Sequence, residues 1–386
     1  MTDLGIYVHI PFCRQKCAYC DFTSYTGLDA LFTDYTAALC LEIAGRGGLL
    51  SRQYQVDTVY VGGGTPTLLP TACLVRILDQ LRKSLQLTVG AEISIEANPG
   101  TIDREKLMAL RAAGFNRISF GVQSFVDPLL CAVGRIHTAQ EAVQTIAAAQ
   151  DAGFANVNVD LMYGLPGQTE ADFRGSLHQA AALEVAHICA YGLKVEEGTP
   201  LATAVSAGRS VLPDEDAEVA MYELATSLLP ERGYPRYEIS NYAQPKAQCR
   251  HNGKYWRYQP YLGFGAAACS FMDGRRSTNT LDVGAYIQCM AASASCTALE
   301  ETPDLPTAMA EFTFLALRTV QGLSFAAFYR QFGRDFVEQY RVEMDDLEHR
   351  GLLLVTEEGI RLTERGMKFG NVAFLAFLPE NTNNTD

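Results

Sequence analysis

The sequence predicts an α/β protein: a partial, TIM-like (β/α)6 barrel followed by a smaller, mainly helical C-terminal domain with a winged-helix-like pattern. Three observations predict it. Short β-branched or aromatic runs alternate with helical patterns, which indicates parallel strands joined by crossover helices. The unusual polar residues and glycine turns sit just after those runs, and a parallel barrel keeps its chemistry at the carboxyl ends of its strands. Past Leu193 the alternation stops, and from about Thr302 the chain reads as amphipathic helices followed by a hairpin.

The expected strands are Ile6 to Ile10, Thr58 to Val61, Glu92 to Glu96, Arg117 to Gly121, Asn156 to Met162 and His187 to Leu193. Helical patterns lie between them, and Gly114 and Gly153 read as C-caps. Strand one leads into Cys13. Strand two runs into Gly62-Gly63-Gly64-Thr65, where missing side chains let backbone approach a ligand closely. Such a turn alone reads as either a plain loop or a cradle, and it lacks the G-x-G-x-x-G dinucleotide pattern. Strand three ends in Glu96-Ala-Asn98, strand four in Gln123-Ser124, and strand five carries Asp160; Arg135 follows in Gly-Arg-Ile-His137. Singly, each is equally a satisfied rim residue. As a set they suit a polar nucleoside, with carboxylates for ribose hydroxyls and an amide or guanidinium for other polar groups.

The implied division is residues 1–235 for the barrel and 236–300 for an aromatic, loop-like connecting segment. Residues 301–379 form the C-terminal domain, and 380–386 a disordered tail. The connecting segment carries His251-Asn-x-x-Tyr-Trp256. A histidine among aromatics is usually packing, yet imidazole also ligates haem iron, and aromatic surfaces suit a porphyrin face.

Cys13, Cys17 and Cys20 fall within eight residues on the loop leaving strand one. Thiolates at C-x-x-x-C-x-x-C spacing can share one soft metal centre. Three ligands leave one iron of a four-iron cluster open, and an amino acid's amine and carboxylate can chelate it. A zinc site would want a fourth ligand nearby, whereas the next cysteine is Cys40. A redox dithiol would need C-x-x-C in a thioredoxin-like context. Three core thiols are disfavoured by the polar Arg14, Gln15 and Lys16 between them.

The chain has 386 residues, long enough for more than one domain. Its net charge of −13 argues against non-specific nucleic-acid binding, which neutralises phosphates with Lys and Arg. No window is long and apolar enough to span a bilayer, and no basic leader precedes strand one. Eleven cysteines, an odd number, fit a reducing compartment, so a cytoplasmic location is expected.

The cysteine spacing matches the radical SAM signature, and with the other motifs the chain resembles the HemW haem chaperones, relatives of the oxygen-independent coproporphyrinogen III oxidases. The likeness spans nearly the whole chain: Tyr7-Val-His-Ile-Pro-Phe-Cys13, Gly62-Gly-Gly-Thr-Pro-Thr67, Gly121-Val-Gln-Ser-Phe125, Gly134-Arg-Ile-His137, Asp160 to Gln168, and His251-Asn-x-x-Tyr-Trp256. The resemblance implies that Cys13, Cys17 and Cys20 hold a [4Fe–4S] cluster completed by S-adenosylmethionine (SAM). It implies SAM contacts at Tyr7, Tyr19, Gly63, Gly64, Thr65, Glu96, Gln123, Arg135 and Asp160, and makes His251 the haem-linked residue. The implied function is haem binding and transfer to an acceptor protein. The alternative is radical SAM oxidative decarboxylation of coproporphyrinogen III. The oxidases carry a further cysteine two residues after the triad, where this chain has Phe22, and a longer region before Tyr7. Where many relatives have Gly-Ala-His-Ser, this chain reads Ala267-Ala-Cys269-Ser270.

Overall fold

The computed structural model describes residues 1–50 and 53–379; the tail expected at 380–386 lies outside the described residues. Six parallel strands follow one another in chain order: β1 (Thr2–Ile10), β2 (Tyr54–Gly63), β3 (Leu87–Ala97), β4 (Arg117–Gln123), β5 (Asn156–Tyr163) and β6 (His187–Gly192). Crossover helices Phe32–Leu50, Thr71–Ser84, Arg104–Ala113, Ala139–Asp151 and Glu170–Ala182 separate them. Thr138 and Thr169 start the last two with reciprocal capping boxes, using Glu141 and Asp172.

Strand alternation sorts the side chains. Ile6, Val59, Ile93, Ile118, Val157 and Ile188 are buried in one apolar layer with the helices. Each such burial contributes about 1.5–3 kcal/mol. The next residue along each strand faces the other way. Register therefore lines up polar rows: Tyr7 pairs with Tyr60, and Glu96 with Ser119, which pairs with Asn158 and it in turn with His187. The barrel interior is polar because the strands are apolar on one side only.

Residues 236–300 are not the loop-like connector expected. They supply five further strands, β7 (Asn241–Ala243), β8 (Tyr261–Phe264), β9 (Cys269–Met272), β10 (Arg275–Asn279) and β11 (Thr297–Glu301), completing an eleven-stranded sheet. β7 adds antiparallel to β6 at one edge, while β8 adds parallel to β1 and leads to β9, β10 and β11 at the other. These strands have three to five residues, and every residue of β11 is exposed. Such pieces offer no long apolar alternation to read.

A second apolar core, built around Phe328, Phe336, Tyr340 and Phe377, lies in the C-terminal part. There helices Leu305–Leu317, Phe325–Phe332 and Phe336–His349 pack with a three-stranded antiparallel sheet, β12 (Leu323–Ser324), β13 (Leu353–Val355) and β14 (Gly359–Leu362).

Candidate functional site

The turn after β2 is locked to the approach to the cysteines. Gly64 N–H donates to the Ile10 carbonyl at 2.9 Å and Thr65 N–H to the Phe12 carbonyl at 2.7 Å. Gly63 has φ +116°, a conformation open to glycine. At Gly64 a Cβ would lie 2.6 Å from the Phe12 carbonyl oxygen and 3.0 Å from Cys13 Sγ. The glycines thus let two loops touch. The cysteine loop is tied on its other side by Ala18 N–H to the Val133 carbonyl at 3.0 Å and Gln15 Nε2 to the Gly134 carbonyl at 3.0 Å.

That second anchor delivers Arg135. Its guanidinium donates to Asn98 Oδ1 at 2.6 Å, to the Gly121 carbonyl, and to Cys17 Sγ at 3.3 Å. Asn98 Nδ2 donates to Thr65 Oγ1 at 2.9 Å, and that hydroxyl lies 3.7 Å from Cys13 Sγ. One chain, Arg135–Asn98–Thr65, therefore joins two of the three cysteines. Arg135 Nε is buried without a partner among the described residues.

The thiols of Cys13, Cys17 and Cys20 are free and partly exposed on one cavity wall. Among the described residues no three His, Cys, Asp or Glu side chains converge where a single ion would sit. A four-iron cube takes each thiolate at a different corner and needs no such convergence. The all-thiol donor set, the cramped glycine turn and the unpartnered guanidinium nitrogen suit a cluster carrying an anionic, polar ligand.

The same cavity is walled by Tyr19, Gly63, Gly64, Glu96, Gln123, Arg135 and Asp160. Glu96 accepts from Tyr60 Oη at 2.8 Å and from Gly63 N–H at 3.0 Å. Burial pushes its carboxyl up to about 7, against the pull of the Tyr60 hydrogen bond. Asp160 accepts from Asn158 Nδ2 at 2.7 Å and Ser119 Oγ at 3.2 Å; burial raises it too, with those bonds opposing. Gln123 has φ +71° at a register shift in the β4–β5 pairing, and its Oε1 accepts from Tyr191 Oη at 2.9 Å. Thr65 stands behind the wall.

Tyr7 lines an adjoining cavity, which shares Gly63 and Glu96 with the first and adds Tyr255, Tyr261 and Cys269. Its hydroxyl donates to His9 Nδ1 at 2.9 Å, because His9 Nε2–H is committed to the Thr23 carbonyl at 2.9 Å.

These features invite comparison with known proteins. The model of the Radical SAM superfamily matches residues 7–180, and that of the HemN C-terminal domain matches residues 304–369. "Heme chaperone HemW" of Bacillus subtilis (strain 168) is 36% identical over 97% of this chain and 99% of its own. "Heme chaperone HemW" of Escherichia coli (strain K12) is 35% identical over 98% and 99%. The chain belongs to the HemW family. Among solved structures, Escherichia coli coproporphyrinogen III oxidase (HemN), described as a radical SAM enzyme, matches with a TM-score of 0.85 and 26% identity, over 97% of this chain and 90% of that one. Radical SAM membership implies a [4Fe–4S] cluster and SAM.

The HemW-type histidine is not where a ligand is expected. His251 is fully buried, with Nδ1 2.9 Å from Thr58 Oγ1 and Nε2 2.8 Å from Tyr255 Oη. Burial lowers its pKa to about 3, helped by Lys254 and Arg117, so the ring is neutral and both nitrogens are engaged. Neither nitrogen is free to take a ligand bond in this arrangement. A short motif reveals a residue type and not which way its helix turns. Sequence reasoning also left Asn98 and Tyr60 without individual roles. Asn98 sits two residues after Glu96, the one available signal; Tyr60 becomes visible only through register.

Proposed function

We propose that this protein is a haem chaperone that carries a SAM-completed [4Fe–4S] cluster and passes haem to an acceptor protein. The observation that carries it is the three-thiol loop docked at a cavity that Glu96, Gln123, Arg135 and Asp160 also line. Cys13, Cys17 and Cys20 hold the cluster. Tyr7, Tyr19, Gly63, Gly64, Thr65, Glu96, Gln123, Arg135 and Asp160 form the SAM site, Tyr7 and Thr65 as flanking residues. When bound, the cluster and SAM supply one-electron chemistry, which the polar, enclosed barrel shields. The names of the relatives support haem as cargo. His251 enters as a positioning residue: it clamps helix Arg250–Trp256 to β2 through Thr58.

A second reading, oxidative decarboxylation of coproporphyrinogen III, is favoured by the likeness to the solved oxidase. Phe22, 67% exposed beside the cluster cavity, stands where that branch carries a further cysteine, and this weighs against it.

Anaerobic reconstitution, haem titration by difference absorbance, and an assay of coproporphyrinogen III consumption with SAM and a reductant separate the readings. Stoichiometric haem binding without turnover is expected. Robust conversion to protoporphyrinogen would sink the chaperone reading. Alanine at any one of Cys13, Cys17 or Cys20 should abolish the iron–sulfur absorbance.

A further inference from the structure

A cleft of about 750 Å³ lies between the sheet and the C-terminal part, on the side away from the cluster. Its position follows from Arg250, on its wall, which donates to the Gly90 carbonyl at 3.0 Å and pairs with Asp57 at 3.4 Å, both near the amino ends of β2 and β3. The cysteine loop sits at the carboxyl ends of the same strands. The volume falls within the roughly 300–1,000 Å³ of small-ligand sites.

Helix Arg250–Trp256 divides its faces between two environments. His251 and Lys254 point into the sheet, both fully buried, while Trp256 and the following Arg257 line the cleft. Phe312, Arg330 and Arg361 face them from the C-terminal part. The guanidiniums of Arg257, Arg330 and Arg361 have no ion pair or hydrogen bond among the described residues. Glu358 is the one carboxylate among the described residues lining the cleft. In a chain with 44 acidic and 31 basic side chains, an acid-poor cleft with three unpaired guanidiniums runs against composition.

Each guanidinium presents a planar fork matched to a carboxylate, and the indole of Trp256, covered on one face by Arg318, and the ring of Phe312 offer flat apolar surface. Together they suit a planar conjugated ligand with carboxylates on one edge. We propose that this cleft holds haem by its propionates: Arg257, Arg330 and Arg361 take the carboxylates, and Trp256 and Phe312 flank the ring. The proposal rests on the haem reading above and adds where the cargo lies.

The test uses the full chain with reconstituted cluster and compares haem with its dimethyl ester, in which both carboxylates are masked. Wild-type protein should bind haem at least tenfold more tightly than the ester, the order of one hydrogen bond to a charged group. Arg257→Ala and Arg330→Ala should each weaken haem binding about tenfold and leave ester binding unchanged. Lysine at either position should recover part of the loss. Arg341→Ala, an exposed charge outside the cleft, should change nothing. Haem affinity unchanged in the cleft variants, or an equal loss for haem and ester, overturns the cleft while the haem reading stands. Absence of haem binding in the wild type overturns both.

Discussion

At the residue scale, the most consequential groups are those whose neighbours fix their state. Glu96 is an acid held near neutrality by burial, with Tyr60 Oη and Gly63 N–H donating to it. Its folded pKa of about 7 lies above the ordinary 4.5, so the carboxylate dominates only above that point. If the ionised Glu96 accepts an N–H of the iron-chelating amino group of SAM, affinity should rise about tenfold from pH 6 to pH 8 and level off above. Calorimetric titration checks this, and Glu96→Gln should flatten the profile. His251 makes a second prediction. As a clamp between Thr58 and Tyr255 it needs one donor and one acceptor, which glutamine also offers. His251→Gln should keep much of the haem affinity and His251→Ala lose it, whereas an axial ligand would fail equally in both. Asn98 would repay the same treatment, since Asn98→Ala cuts the chain between Arg135 and Thr65. A part-buried hydrogen bond of that kind is worth about 1 kcal/mol, and its loss should lower cluster iron content without unfolding the protein.

At the element scale, the strand-two turn tests whether the glycines are there for contact or for flexibility. Gly64→Ala drives a methyl into the Phe12 carbonyl, a backbone atom that cannot swing aside. It should cost about 1–3 kcal/mol and reduce iron incorporation. Gly175→Ala, within helix Glu170–Ala182 with nothing within 4 Å of the added Cβ, should instead gain roughly 0.5–1 kcal/mol. Thermal melts and iron analysis on the two variants suffice. The same scale explains what the sequence made legible. β1 to β6 each carry a β-branched, apolar face long enough to read, so the barrel and the order of its loops could be written down from pattern alone. The cysteines and glycines stand out in the sequence because a cluster site needs those residue types at that spacing. β8 to β11 do not, since Arg275-Arg-Ser-Thr-Asn279 pairs through backbone and leaves no apolar period. Nor does the orientation of helix Arg250–Trp256, which depends on its buried Lys254–Asp57 ion pair of 2.7 Å across to β2.

At the scale of the whole molecule, two apolar cores meet across a seam that is largely polar. Arg276 pairs with Glu311, which also accepts from Tyr258 Oη at 3.3 Å; Arg236 pairs with Glu364 at 2.6 Å; and Arg318 stacks 4.5 Å over Trp256 while reaching Glu238 at 3.6 Å. Partly exposed ion pairs of this sort contribute about 0–1 kcal/mol each, and the backbone bridge of Glu238 with Thr319 adds hydrogen bonds of about 0.5–1.5 kcal/mol each, so the seam couples the cores less strongly than the packing inside either one. Phe328 is fully buried in the C-terminal core, against Phe312, Phe332, Phe336 and Tyr340. Phe328→Ala should cost that core about 3–5 kcal/mol and leave the barrel core intact. The expected outcome is a melt with two steps, in which the iron–sulfur absorbance survives the first. Because Phe312, Arg330 and Arg361 belong to the part that melts, haem affinity should fall at the first step, while SAM binding persists until the second. A single cooperative transition that removes cluster and haem together would show instead that the seam carries as much free energy as the cores.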